Sequence, residues 1–179
     1  MSKIWFSSDL HLMHNREFIY EKRGFMSTLE MSEALIRNIN HSVKEDDILY
    51  LLGDLMLCDD KVGLEFLKQI NCQNINIMKG NHDSSKRLKL YKELPNVVNV
   101  SVAEVIKYNK KQFYVSHYPT NVSNMNDPQP IFSLHGHTHS SDRFENMGMK
   151  AYNVAIEAHN NFPVEIEEII SDIKLYLKF

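Results

Sequence analysis

The sequence predicts a single α/β domain. Three observations carry that prediction. Buried-strand runs alternate with helical patterns through the first half of the chain, and the second half is strand-rich with little helix. No internal repeat, low-complexity tract or Pro/Gly/Ser linker divides the 179 residues. A chain of this length, 43% hydrophobic and 24% charged, can bury one real core, so residues 1–179 are read as one domain.

The elements follow in order. "KIWFS" (3–7), "DILYLL" (47–52) and "NINIMK" (74–79) have the length and the β-branched or aromatic content of buried strands. Between the first two, "TLEMSEALIRNINHSVK" places Leu29, Leu35, Ile36, Ile39 and Val43 at helical spacing behind Thr28, the expected cap. "DKVGLEFLKQI" (60–70) is a second helix of the same kind. Strand, helix, strand, helix, strand implies parallel pairing through right-handed crossovers. Downstream, "SVAEVIKYN", "KQFYVSH", "IFSLHG" and "AYNVAIE" read as strands of an antiparallel half, with a hairpin turn at Asn109-Lys110-Lys111. A final helix begins near Val164 and runs through "EIEEIISDIKLYL".

Composition narrows the function classes. The formal net charge of -3 is mild, and Lys and Arg are spread along the chain, so nothing marks a general nucleic-acid binder; a nucleic acid enters only as a substrate. The start, "MSKIWFSSDL", lacks the pattern of a signal peptide, and no run approaches the ~18 apolar residues of a membrane span. A cytoplasmic protein without a membrane partner is expected. Cys58 and Cys72 have neither C-x-x-C spacing nor the density of a disulfide framework, and are read as reduced core thiols.

Five of the strands end in polar clusters of one chemical kind. Asp9-Leu10-His11 follows the first, Gly53-Asp54 the second and Gly80-Asn81-His82-Asp83 the third; His117 and His135-Gly136-His137-Thr138-His139 follow two later ones. In open α/β sheets ligands bind beyond the carboxyl ends of strands, so these clusters are expected to converge. Residues i and i+2 of an extended segment point the same way, which lets Asp9 with His11, and His137 with His139, present paired ligands. Gly80 and Gly136 suit sharp exits where backbone approaches the site. His135 would point away from His137 and is read as structural, with an outer contact to the site as the lesser reading.

Asp, His and Asn without a thiolate form a mixed O/N shell that suits Mn, Fe, Zn, Co or Ni. Asp9, His11, Asp54, Asn81, His117, His137 and His139 over-supply one ion, but suffice for two divalent ions if a carboxylate bridges. Manganese is the first choice. Two such ions roughly 3.5 to 4 Å apart are the usual machinery of phosphate ester hydrolysis. Four positive charges against two carboxylates leave a site that attracts phosphate and acidifies a bridging water.

The ordered set D-x-H, GD, GNHD, H and GHTH resembles the calcineurin-like metallophosphoesterases, and more closely their small single-domain bacterial and phage members, from Ile4 to about Ile156. The resemblance implies a four-layer αββα sandwich, two mixed sheets face to face with helices outside. It implies one metal on Asp9, His11, Asp54 and His139, and a second on Asp54, Asn81, His117 and His137. His82 would face substrate as the catalytic acid. Many members carry an acidic residue three positions after the bridging aspartate to orient that histidine; here Leu57 stands there, leaving Asp83, Asp59 or Asp60 for the task.

Other residues weigh less. His14, Asn15, Arg23 and Tyr118 are candidates to touch the substrate, although Asn15 equally suits a helix cap and Arg23 an exposed loop. His41 and His159 lack motif context and are assigned to a helix face and a loop, and Cys58 to core packing. The loop "YPTNVSNMNDPQP" (118–130) is long enough to be a lid or rim. The expected activity is hydrolysis of small phosphomonoesters or phosphodiesters, such as nucleotides or cyclic nucleotides, by a metal-bound hydroxide, with His82 protonating the leaving oxygen. The alternatives are a nuclease-type phosphodiesterase and a non-catalytic metal-binding scaffold. A scaffold would be expected to lose ligands or the histidine, and all eight positions are present.

Overall fold

The structure is a computed structural model that describes residues 2–121, 131–145 and 150–177. Its first sheet holds five strands in the order β4-β3-β2-β1-β9: β1 is Ile4–Ser7, β2 Ile48–Leu51, β3 Ile75–Met78, β4 Val97–Ser101 and β9 Val164–Glu165. The second holds four in the order β5-β6-β7-β8: β5 is Ala103–Tyr108, β6 Lys111–Ser116, β7 Ile131–His135 and β8 Ala151–Asn153. The helices are α1 (Glu17–Tyr20), α2 (Thr28–Ser42), α3 (Asp60–Leu67), α4 (Ser85–Lys92) and α5 (Ile166–Tyr176), with a 3-10 helix at Ile156–His159. This is the α/β architecture of two mixed sheets with flanking helices.

Strand alternation builds two cores. Leu49, Leu51, Ile75 and Ile77 face outward from the first sheet and pack with Met31, Leu35, Ile36 and Ile39 of α2 and Leu67 of α3. Phe6, Tyr50, Leu52 and Met78 face the other way and meet Ile106, Phe113, Val115, Phe132 and Leu134 of the second sheet. Ile166, Ile169, Ile170 and Ile173 of α5 join this second core. Each such fully buried side chain stabilises the fold by about 1.5–3 kcal/mol relative to exposure.

Several expectations need correcting. The cap of α2 is Ser27, whose hydroxyl accepts the Glu30 N–H, and Thr28 is already helical. Leu29 is half exposed, because the buried stripe runs through Met31, Leu35, Ile39 and Val43 at strict i, i+4 spacing. The run read as one strand from Ser101 is divided: β4 ends the first sheet at Ser101, and β5 opens the second at Ala103. The segment "AYNVAIE" ends as a strand at Asn153 and turns into the 3-10 helix, which carries a buried His159 in place of a loop residue. The hairpin at Asn109 and Lys110 stands, with both residues in the left-handed region.

The second sheet is not antiparallel throughout. β5 pairs antiparallel with β6, but β6, β7 and β8 run parallel. That difference positions the site. The carboxyl ends of β1, β2 and β3 share one edge because the three are parallel neighbours, and the ends of β6 and β7 share another for the same reason. All five motif clusters leave from those ends.

Candidate metal centre

Each cluster is anchored by backbone before its side chains meet. Asp9 donates its N–H to the Gly53 carbonyl and His11 to that of Asp54, so the first two motifs run side by side. Gly80 packs so closely that an added β-carbon would collide with the Asp54 carboxylate and backbone, and one at Gly53 would strike the Gly80 backbone. Asp83 closes this corner: its Oδ2 accepts the N–H groups of Asp54 (3.0 Å) and Gly80 (2.9 Å), and its Oδ1 accepts the Tyr91 hydroxyl (2.9 Å). The N–H of His82 donates to Asp54 Oδ1 at 2.8 Å.

Five of the seven expected ligands adopt left-handed backbone, Asp9 (φ 57°), His11 (47°), Asp54 (52°), His137 (73°) and His139 (52°). A non-glycine residue there costs of order 1–3 kcal/mol and persists only where its surroundings impose it. Here the imposition is visible as the short cross-motif hydrogen bonds.

The ligating atoms fall into two groups. In the first, Asp9 Oδ1 lies 3.9 Å from His11 Nε2 and 3.8 Å from His139 Nε2, and His11 Nε2 lies 3.9 Å from Asp54 Oδ2. In the second, His117 Nε2 is 2.8 Å from Asn81 Oδ1, 3.2 Å from His137 Nδ1 and 3.5 Å from Asp54 Oδ2, while His137 Nδ1 is 2.9 Å from the same Asn81 oxygen. Asp54 Oδ2 belongs to both. Asp9 also closes a buried triad with Asp54 and His117.

These groups fit cations. Asp9 Oδ1 and His11 Nε2 are buried and have no hydrogen-bond partner among the described residues. His117 Nδ1 gives its proton to the Leu52 carbonyl at 2.7 Å, so its Nε2 is an acceptor facing the acceptor Asn81 Oδ1. Clustered acceptors with no donor between them repel unless a positive ion joins them. The ionisation pattern agrees. Burial pushes the Asp9 carboxyl above its ordinary range, with the neighbouring His117 and His139 rings and the Ser8 hydroxyl opposing. Burial and the Arg23 charge push His11 down to about 2, keeping its lone pair. Burial and then His117 lower His137 as well.

Against known sequences, the profile of the calcineurin-like phosphoesterases matches residues 2–176. The chain belongs to the calcineurin-like phosphoesterase family. An uncharacterised protein of Methanocaldococcus jannaschii is 33% identical over 97% of this chain and 93% of its own length. Among solved structures, a protein of unknown function from Aquifex aeolicus is similar, with a TM-score of 0.73, 22% identity, and coverage of 96% of this chain and 99% of that one. That likeness concerns the fold.

In this calcineurin-like phosphoesterase the remaining candidates fall into distinct places. His82 is half exposed at the rim, with Nε2 3.9 Å from Asp54 Oδ2. Among the described residues no hydrogen bond ties its ring to Asp83, Asp59 or Asp60. Asp83 serves the backbone, Asp59 caps α3, and Asp60 pairs with Lys86 and Arg87. Arg87 instead holds the His82 carbonyl (3.2 Å) together with those of Met56 and Cys58, so His82 is set through its main chain. His14 turns Nδ1 to His11 Nδ1 at 3.1 Å. The exposed Tyr118 ring stands edge-on to His117 and His137. Asn15 is exposed and does not cap α1, whose N-cap position is held by Arg16.

Arg23 is a correction. The guanidinium expected on an exposed loop or at a phosphate is buried, donating to the carbonyls of Asp9 (2.9 Å) and Leu10 (3.0 Å) and to Glu157. Glu157, which the motifs do not contain, accepts from His139 Nδ1 at 2.7 Å. Burial acts to raise the Glu157 carboxyl, but the His139 hydrogen bond and the Arg23 charge outweigh it and hold it below its ordinary range. His135 is fully buried at the end of β7, with Nδ1 donating to the Gly136 carbonyl, in keeping with a structural role. His41 lies exposed on α2, and Cys58 and Cys72 are free thiols. Residues 122–130 of the expected lid lie outside the described residues.

Proposed function

We propose that the chain is a two-metal phosphoesterase hydrolysing small phosphomonoesters or phosphodiesters, nucleotides and cyclic nucleotides among them. The observation that carries this reading is the facing pair Asp9 Oδ1 and His11 Nε2, 3.9 Å apart, buried and without hydrogen-bond partners among the described residues. With His11 neutral, a cation is what satisfies both atoms at once. Asp9, His11, Asp54 and His139 would hold one ion, and Asp54, Asn81, His117 and His137 the other. Manganese suits this O/N set, and iron, zinc, nickel or cobalt are compatible with it. When bound, such a pair supplies the charge that attracts phosphate and the acidity that makes water a nucleophile at neutral pH.

The chain's own groups do the rest. His82 at the rim would pass a proton to the leaving oxygen, a general-acid contribution of about 10²- to 10⁴-fold. His117 donates from Nδ1 to the Leu52 carbonyl, which fixes the ring with Nε2 turned toward Asn81 and Asp54. A cleft of about 590 Å³ opens beside His139, lined by Phe18, Lys22, Ser141 and Asn160 among others. Its size suits the remainder of a small ester.

The test is an assay of metal-depleted protein, restored with Mn, Ni, Co or Zn, on a chromogenic phosphomonoester and phosphodiester, with single-stranded DNA and RNA alongside. Metal-dependent turnover of a small ester is expected. Absence of turnover with every metal would defeat the reading, and cleavage of nucleic acid as fast as the small diester would move it to a nuclease.

A further inference from the structure

We propose that Glu157 and Arg23 are a buried positioning pair that sets the affinity of one ion only, the one held by Asp9, His11 and His139. The proposal rests on the two-ion reading above and concerns residues outside its ligand set.

Glu157 lies on the 3-10 helix after β8, a segment tied to the first motif where the Ile156 N–H meets the Ser8 carbonyl. Its Oε1 accepts three donors: His139 Nδ1 at 2.7 Å, Arg23 Nη2 at 2.5 Å and Arg23 Nε at 3.1 Å. The ionised carboxylate can only accept, so Nδ1 of His139 is the donor, and the ring is fixed with Nε2 turned toward Asp9 Oδ1 at 3.8 Å. Arg23 uses its remaining donors on the carbonyls of Asp9 and Leu10 and on Met31 Sδ. Those carbonyls belong to Asp9, itself in left-handed conformation, and to the residue before left-handed His11, so one guanidinium holds strained backbone in place while fixing the carboxylate that orients His139.

The second group is supported differently. Its His117 donates to a neutral backbone carbonyl, that of Leu52. Carboxylate backing raises the basicity of a histidine ligand, and losing such an outer partner typically costs 10–100-fold in metal affinity. The effect should therefore fall on one ion.

Calorimetric titration with Mn²⁺ and a count of bound ions by electron paramagnetic resonance test this on Glu157→Gln, Glu157→Ala and Arg23→Lys. For Glu157→Gln, one ion is expected to bind about 10–100-fold more weakly and the other as in wild type. Arg23→Lys should weaken the same ion, and adding it to Glu157→Gln should cost less than the sum of the two single effects. Glu157→Ala leaves a buried arginine unpaired and is at risk of misfolding. Glu157→Gln keeps an acceptor of the same reach and decides the matter. Unchanged binding of both ions by Glu157→Gln, or equal weakening of both, overturns the pair's role. A wild-type protein that binds no Mn²⁺ removes instead the two-ion reading beneath it.

Discussion

The backbone N–H of His137 donates to Asp9 Oδ2 at 2.8 Å, joining segments 128 residues apart and fastening the second sheet to the first motif. Gly136 makes this approach possible, because a β-carbon there would collide with Ser8 Oγ and the same Asp9 oxygen. Gly136→Ala is therefore expected to push the histidine-bearing turn off Asp9. It should destabilise the fold by about 1–3 kcal/mol, as overpacking does, and lower Mn²⁺ affinity as well. Denaturant unfolding and metal titration measure the two effects, and a variant that matches wild type in both contradicts the expectation.

His82→Ala should leave two ions per chain and lower kcat by about 10²- to 10⁴-fold. Its ring is half exposed at the rim, and its contribution to the metal groups comes through the main-chain N–H on Asp54, which alanine keeps. Loss of metal on this substitution would mean that the side chain is a ligand.

Asp83→Ala removes one carboxylate from three buried donors, the N–H groups of Asp54 and Gly80 and the Tyr91 hydroxyl. Unsatisfied buried donors cost about 1–3 kcal/mol each, so a loss of at least about 3 kcal/mol is expected in urea unfolding of the metal-free protein. Tyr91→Phe deletes only one donor with its bond and should cost about 1 kcal/mol. Equal losses for the two variants would show that Asp83 does not act as the shared acceptor.

His159 gives a pH dependence with a definite sign. Burial pushes its imidazole down to about 4, with the Arg143 charge adding and the hydrogen bond to the Asn153 carbonyl opposing. The unfolded chain then binds the extra proton between about pH 6.5 and 4. The stability contributed by neutral His159 is therefore whole above about pH 6.5, declines as pH falls and is exhausted below about pH 4. Relative to His159→Gln, the metal-free wild type should lose on the order of 3 kcal/mol of its advantage between pH 7 and pH 4. Parallel pH profiles for the two proteins would argue against the assignment.

The clusters at strand ends were legible because chain order carries them: D-x-H, GD, GNHD and GHTH are short, and each follows an apolar run that reads as a strand on its own. Glu157 and Arg23 were not legible. They sit 134 residues apart and meet only through packing of the 3-10 helix against the turn after α1. α4 escaped because only Tyr91 of its "SKRLKLYK" is buried, which leaves no apolar stripe, and β4 because it is a sheet edge with Val98 and Asn99 exposed and its other residues only partly buried. The parallel pairing of β6 with β7 is likewise a tertiary fact, since alternation specifies which face is buried but not which neighbour lies alongside.

The left-handed backbone at Asp9, His11, Asp54, His137 and His139 has an evolutionary reading. Glycine would relieve strain of order 1–3 kcal/mol at each position. At Asp9 and Asp54 it would also take away the acceptors of the His137 and His82 N–H groups, so selection for a relaxed backbone is opposed there by the fold itself as well as by any ion. At His11 no main-chain donor depends on the side chain among the described residues, and drift to glycine in a lineage released from holding ions is expected there before it reaches the two aspartates.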